Sequence, residues 1–192
     1  YEHRVKTLYA GIVEFSTRVG DKRFTPEIAN RIYALRDVAT DIVQAVKSVK
    51  HLRKNVLRYT VHPQGATTEL YDELRTEIAR IALEIRKLGL ADPESRSALW
   101  LDQERAQIEE DARMTSKRVE TLIRNGSLSS AAATSFMNDS SYAYGAMRKL
   151  IEAARSYYID REGGRAEVER LVALDDEEIN EARGGTAGKL AG

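Results

Sequence analysis

Apolar residues recur along this chain in alternating steps of three and four, and each such stripe predicts one face of an amphipathic helix. The first helix carries Tyr1, Val5, Leu8, Ile12, Phe15 and Val19, and ends at Gly20-Asp21. The second, much longer helix carries Ile28, Ile32, Leu35, Ala39, Ile42, Val46, Val49 and Val56, and ends at His62-Pro63-Gln64-Gly65. No segment alternates with the period of two that a half-buried strand requires. The pattern predicts an all-α protein.

Four further helices follow. The third carries Tyr71, Leu74, Ile78, Ile81, Ile85 and Leu88, with Gly89 expected as a left-handed C-cap. The fourth carries Leu101, Ile108, Ala112, Val119 and Leu122, and ends at Asn125-Gly126. The fifth starts near Ser129 or Ser130 and carries Phe136, Ala143, Met147, Leu150, Ala154 and Tyr157, ending at about Asp160. A short acidic sixth helix is predicted from Arg165 to about Arg183, and residues 184–192 are expected to be disordered.

These six helices form two similar sets of three. Thr25-Pro26-Glu27 and Asp92-Pro93-Glu94 both have the chemistry of a helix start. Without a gap, Asp41 aligns with Asp139, Ala45 with Ala143, Lys50 with Arg148 and Leu52 with Leu150. We therefore predict a first three-helix repeat over 1–91 and a second over 92–183, joined in an elongated bundle that gives each long helix neighbours alongside it.

Composition narrows the class of protein. Basic and acidic residues number 30 each, so no overall charge draws the chain to nucleic acid or anionic lipid, and nucleic acid is not an expected partner. Cysteine is absent, which excludes disulfides and thiolate metal sites. No apolar run approaches the roughly 18 residues that cross a bilayer. Because a helix pattern is under way at Tyr1 without a preceding methionine, we expect a segment of a longer protein.

Two features could bind a charged partner, and the first is a set of carboxylates. Asp37 and Asp41 lie four residues apart and so share a helix face, where their oxygens could hold a cation. Asp139 occupies the matching position in the other half. The alternative is an ordinary solvated face, because like charges at this spacing are common on exposed helices and one pair cannot complete a coordination shell.

The second feature is a basic run in the last third of the second helix. It consists of Lys47, Lys50, Arg53, Lys54 and Arg58, with His51 and His62 between and after them. Such a run could contact phosphate or an anionic membrane surface. The alternative is a helix end whose cations complement the helix dipole and pair with acidic residues on neighbouring helices.

Catalytic patterns are lacking in the sequence. The three histidines form no Glu-x-x-His or His-x-x-x-His arrangement, and neither Gly163-Gly164 nor Gly184-Gly185 has the features of a phosphate-binding loop. We therefore expect a protein that is not an enzyme. One enzymatic alternative stays open, since Glu69–Arg75 with the isoleucines that follow it loosely resembles the first helix of chorismate mutases.

Taken together, the repeat, the long helices and the Asp-x-x-x-Asp pair resemble the PhoU family of six-helix proteins. A narrower resemblance is to the PhoU-like C-terminal domain of the bacterial sodium/phosphate cotransporter family. The residues that carry it are Asp41 to Tyr59, His62-Pro63, Leu70 to Arg75, Asn138-Asp139 and Met147 to Leu150.

This resemblance implies a regulatory domain on the cytoplasmic side of the inner membrane. Its partner would be the transmembrane transporter portion of the same polypeptide or, in a homodimer, a second copy. PhoU proteins bind metal clusters through two Glu/Asp-x-x-x-Asp motifs, which implies a divalent or ferric ion here. Asp37 and Asp41 match the first motif, but the second has Ser135 before Asp139 and lacks a carboxylate. A free-standing signalling or scaffold bundle is the alternative.

Overall fold

The computed structural model describes residues 2–20 and 25–159, and nearly all of them are helical. The α-helices are α1 (Thr7–Gly20), α2 (Pro26–Val61), α3 (Ala66–Leu90), α4 (Ala98–Arg124) and α5 (Ser130–Tyr158). A π-helical turn over Glu2–Lys6 precedes α1, and a 3-10 turn over Pro93–Ser95 precedes α4. No strand occurs in these ranges, so the predicted all-α class is confirmed. The predicted sixth helix and the 184–192 tail lie outside the described residues.

Most helix ends follow the local signals in the sequence. The His62–Gly65 segment separates α2 from α3, and Gly65 adopts a φ of 49°, which favours glycine. The turn after α4 contains Gly126 with a φ of 76°. At the start of α5, the Ser129 hydroxyl accepts a hydrogen bond from the Ala132 amide at 3.2 Å, as expected of an N-cap.

Two predicted helix ends were wrong. The Asp92-Pro93-Glu94 segment makes only the 3-10 turn, and α4 begins after Ser97, whose hydroxyl accepts from the Leu99 amide at 3.2 Å. Gly89 is not a C-cap, because α3 continues to Leu90. A Cβ atom at Gly89 would lie 2.5 Å from the Tyr158 hydroxyl oxygen, so any larger residue there requires the Tyr158 side chain to move.

The arrangement of the bundle is centred on α5, which packs against α2, α3 and α4, while α1 packs on α2 and α3 also contacts α2. A single core contains residues from both predicted halves of the chain. Its fully buried large side chains are Leu70, Ile81, Leu101, Ile108, Phe136 and Met147. Small residues of α5, including the fully buried Ala143 and Ala146, allow neighbouring helices to approach it closely.

The buried line of α2 differs from the predicted stripe. It consists of Val38, Ala45, Leu52 and Tyr59, spaced by seven residues. Ile42 and Val49, which belong to the predicted stripe, are exposed. The physical reason is that α5 and α3 cover only one side of a wide apolar band on α2. Within the described residues, no helix has both the length and the apolar character needed to cross a membrane.

Candidate functional site

The contact between α2 and α5 includes two of the three candidate carboxylates, Asp41 and Asp139, each with its own partner. Asp41 accepts a hydrogen bond from the Lys149 ammonium at 2.9 Å, and the Asn55 amide donates to Asp139 at 2.7 Å. The earlier residue of α2, Asp41, pairs with the later residue of α5, Lys149, and the later residue Asn55 pairs with the earlier Asp139. The two helices are therefore antiparallel. The face with Asp41 and Asn55 is therefore packed against α5, whereas the sequence favoured an ordinary solvated face.

A buried polar network surrounds Asp139 where α2, α3 and α5 meet. The Asp139 side chain accepts from the Tyr71 hydroxyl at 2.6 Å as well as from Asn55, and the Asn55 amide also donates to Ser135 at 3.1 Å. Asp139 itself is only 7% exposed. Burial, followed by the hydrogen bond to Asp139, raises the pKa of Tyr71 well above its ordinary value, so this tyrosine stays a proton donor.

Aromatic packing fixes the position of Tyr71 in this network. Its ring stacks on Tyr59 with 4.9 Å between centroids and meets the edge of Phe136 at 5.3 Å. Within the described residues, no buried polar side-chain atom lacks a hydrogen-bond partner. The Asp139 network is therefore satisfied by the protein itself and joins three helices.

The three carboxylates proposed as metal ligands are not brought together. Asp41 bonds to Lys149 and Asp139 bonds to Asn55, at two separate points of the α2–α5 contact. On α2, these two points are marked by Asp41 and by Asn55, the partner of Asp139. They are 14 residues apart, or about 21 Å along a helix. The Asp37 side chain is 73% exposed, and its carboxylate lies 4.0 Å from the Arg36 guanidinium. In the described ranges, no three histidine, aspartate or glutamate side chains form a group able to hold a metal ion.

The basic run forms an exposed cationic face on the outer side of α2. All five basic side chains proposed for anion contact, Lys47, Lys50, Arg53, Lys54 and Arg58, are exposed. The spacing of Lys47, Lys54 and Arg58, with His51 between them, places these residues in one line along the helix. No acidic residue occurs between Ile42 and Val61.

The alternative explanation for these cations was ion pairing with neighbouring helices. No carboxylate among the described residues pairs with Lys47, Arg53, Lys54 or Arg58. Exposed apolar side chains lie among them, namely Val49, Leu57 and Val61. A groove of about 440 Å³ between α2 and α3 also opens on this side, with Lys50, Arg53 and Arg75 in its lining. The cationic face thus combines unpaired positive charge with accessible apolar surface.

A second accessible feature is an apolar cleft of about 1120 Å³ between α1, α2 and the C-terminal end of α5. Leu8 and Phe15 from α1 are 67% and 66% exposed there, and Ile42 from α2 is 42% exposed. Leu8, Ile12 and Phe15 of the predicted α1 stripe therefore line a cleft instead of a closed core. Tyr157 and Tyr158 line the cleft where α5 ends.

Comparisons with protein-family models, curated proteins and solved structures found no match. The described residues form an all-α bundle. It has a polar network inside, whose hydrogen bonds are all satisfied, and two accessible surfaces outside, the cationic face and the apolar cleft. Sequence reasoning found the residues of the cationic face. It missed the apolar cleft and the roles of Asn55, Tyr71 and Ser135, because these depend on contacts between helices far apart in sequence.

Proposed function

We propose that this chain is a non-catalytic regulatory domain of a sodium-dependent inorganic phosphate transporter, located on the cytoplasmic side of the inner membrane. It acts through helix-surface contacts with the transporter core or with another copy of itself. The family resemblance in α2, α3 and α5 supports this function. We also propose, from the internal similarity of α2 and α5, that the fold is a PhoU-like pair of three-helix repeats.

The observation that carries the proposal is the cationic face of α2. Within the described residues, four of its cations have no carboxylate partner, and apolar side chains are exposed between them. Such a surface fits a domain held beside a membrane transporter, where it can contact anionic headgroups or an acidic protein surface.

Regulation through such a surface has a simple physical form. The domain shifts the transporter between conformations if it binds one of them more tightly than the other, and no chemical step is needed. A tenfold preference for one conformation corresponds to about 1.4 kcal/mol, which a few charge contacts beside a membrane can supply.

The first test is the coding sequence upstream of Tyr1, scored for apolar segments of roughly 20 residues. We expect a set of membrane helices in the same reading frame. A frame without them would overturn the transporter function and leave a free-standing scaffold bundle.

The second test is phosphate uptake by the complete parent protein in cells that lack their own phosphate transporters. We expect the triple variant Lys47→Gln, Lys54→Gln and Arg58→Gln to change the uptake rate at an unchanged amount of protein. The control triple Arg86→Gln, Arg105→Gln and Lys117→Gln removes the same charge from exposed positions on α3 and α4. Equal uptake by both variants and the unmodified protein would contradict a regulatory role for this face.

A further inference from the structure

The internal similarity of the chain extends beyond the helices that the structure describes. The shift of 98 residues that lays Asp41 on Asp139 also lays the whole buried line of α2 on α5: Val38 on Phe136, Ala45 on Ala143, Leu52 on Leu150 and Tyr59 on Tyr157. The same shift lays Gly65 on Gly163, and Leu70, Leu74 and Ile81 on Val168, Val172 and Ile179. Residues 164–183 are thus the sequence counterpart of α3, at the same offset of 98 residues.

The position of α3 shows where such a counterpart fits. In the described bundle, Leu70, Leu74 and Ile81 are buried where α3 packs on α5 and α2, and Tyr71 rests against Phe136. The shift that aligns the two halves makes Val38 of α2 equivalent to Phe136 of α5. A helix equivalent to α3 in the second repeat would therefore pack against Val38. Val38 lines the apolar cleft, so the equivalent position for a helix is the cleft itself.

We propose that the occupant of the apolar cleft is the chain's own segment 164–183, which packs there through Val168, Val172 and Ile179 as the third helix of the second repeat. Two independent observations agree. The cleft lies where α5 ends, and the segment begins six residues after Tyr158 along the chain. The apolar residues of the segment recur with the spacing of the α3 residues that fill the equivalent position.

The absence of cysteine from the chain allows a direct test by thiol labelling of the full chain. Single cysteines are placed at Ile42 in the cleft and at Met114 on α4, which are 42% and 52% exposed in the described bundle. We expect the maleimide to label Ile42→Cys at least tenfold more slowly than Met114→Cys, because the segment covers Ile42. Phe15→Cys serves as a second reporter in the cleft and should behave like Ile42→Cys.

Variants of the segment identify the covering element. The triple change Val168→Asp, Val172→Asp and Ile179→Asp should raise labelling of Ile42→Cys at least tenfold. The control triple Ala166→Asp, Ala173→Asp and Asn180→Asp adds the same charge roughly 100–140° away from that face of the predicted helix and should leave labelling slow. A cysteine at the fully buried Leu101 should stay unlabelled in both, which shows that the rest of the bundle remains folded.

Two results would overturn the proposal. One is labelling of Ile42→Cys as fast as that of Met114→Cys in the unmodified background, since the cleft would then be open. This comparison leaves the segment unchanged, so it tests the proposal even if the aspartate variant unfolds. The other is protection of Ile42→Cys that disappears on dilution, because a second copy of the chain would then be covering the cleft.

Discussion

At the scale of single residues, Asp139 is the clearest case in which the structure changes an interpretation. The sequence singled it out as a metal ligand because it aligns with Asp41. In the bundle it accepts hydrogen bonds from Tyr71 and Asn55, which are 68 and 84 residues away along the chain. No local pattern encodes partners so distant, so this role could not be predicted from the sequence.

Removing the Asp139 carboxylate should destabilise the whole bundle. Asp139→Ala removes the acceptor of the buried Tyr71 hydroxyl and of one donor of the half-buried Asn55 amide. A buried donor without an acceptor costs about 1–3 kcal/mol, so we expect a total loss of about 2–4 kcal/mol. Urea unfolding followed by circular dichroism measures it. The control Asp37→Ala, at an exposed site, should stay within about 0.5 kcal/mol. Equal stability of the two variants would show that the network contributes little.

At the scale of helices, the sequence correctly predicted the five described helices and their order, but it did not predict which face of α2 is buried. Stops such as His62–Gly65 and the cap at Ser129 act locally, so they could be located from a few neighbouring residues. The buried line of α2 depends on which neighbours cover the helix. A wide apolar band does not by itself show which of its sides neighbouring helices will cover. Ile42 and Val49 were therefore wrongly predicted to be buried.

Two glycines within helices test this dependence on neighbours. Gly145 in α5 has no atom within 4 Å of an added Cβ, so Gly145→Ala should stabilise the protein by about 0.5–1 kcal/mol through the greater helix propensity of alanine. Gly89→Ala brings the same propensity but meets the Tyr158 ring, and we expect it to gain nothing or to destabilise. Thermal unfolding compares them. A gain at Gly89 as large as that at Gly145 would show that the Tyr158 side chain moves aside without cost.

At the scale of the whole molecule, a net charge of zero hides a strongly uneven distribution. The stretch from Ile42 to Val61 has five basic residues and no acidic ones, so the opposite charge lies elsewhere in the chain. Electrostatic attraction to an anionic surface acts over roughly 10 Å at ordinary salt concentration, which is shorter than the length of α2. The cationic face therefore behaves as a local charge even though the total is balanced.

Vesicle binding measures this local charge directly. We expect the protein to co-sediment with phosphatidylglycerol-containing vesicles but not with pure phosphatidylcholine, and less well as salt increases. Each Lys or Arg near an anionic surface contributes about 1 kcal/mol, so Lys47→Gln, Lys54→Gln and Arg58→Gln together should weaken binding about 100-fold. The Arg86, Arg105 and Lys117 triple serves as the matched control. Equal weakening by both triples would locate the interaction outside the cationic face.

The central place of α5 also determines when the protein can fold during synthesis. The contacts among α1 to α4 are limited mainly to those of α1 and α3 with α2, and most of the core forms only when α5 is added. On the ribosome, α1 to α4 therefore emerge with their apolar faces uncovered and must wait for α5 before they can be buried. Chaperone binding to the nascent chain should accordingly persist until Tyr158 has left the exit tunnel.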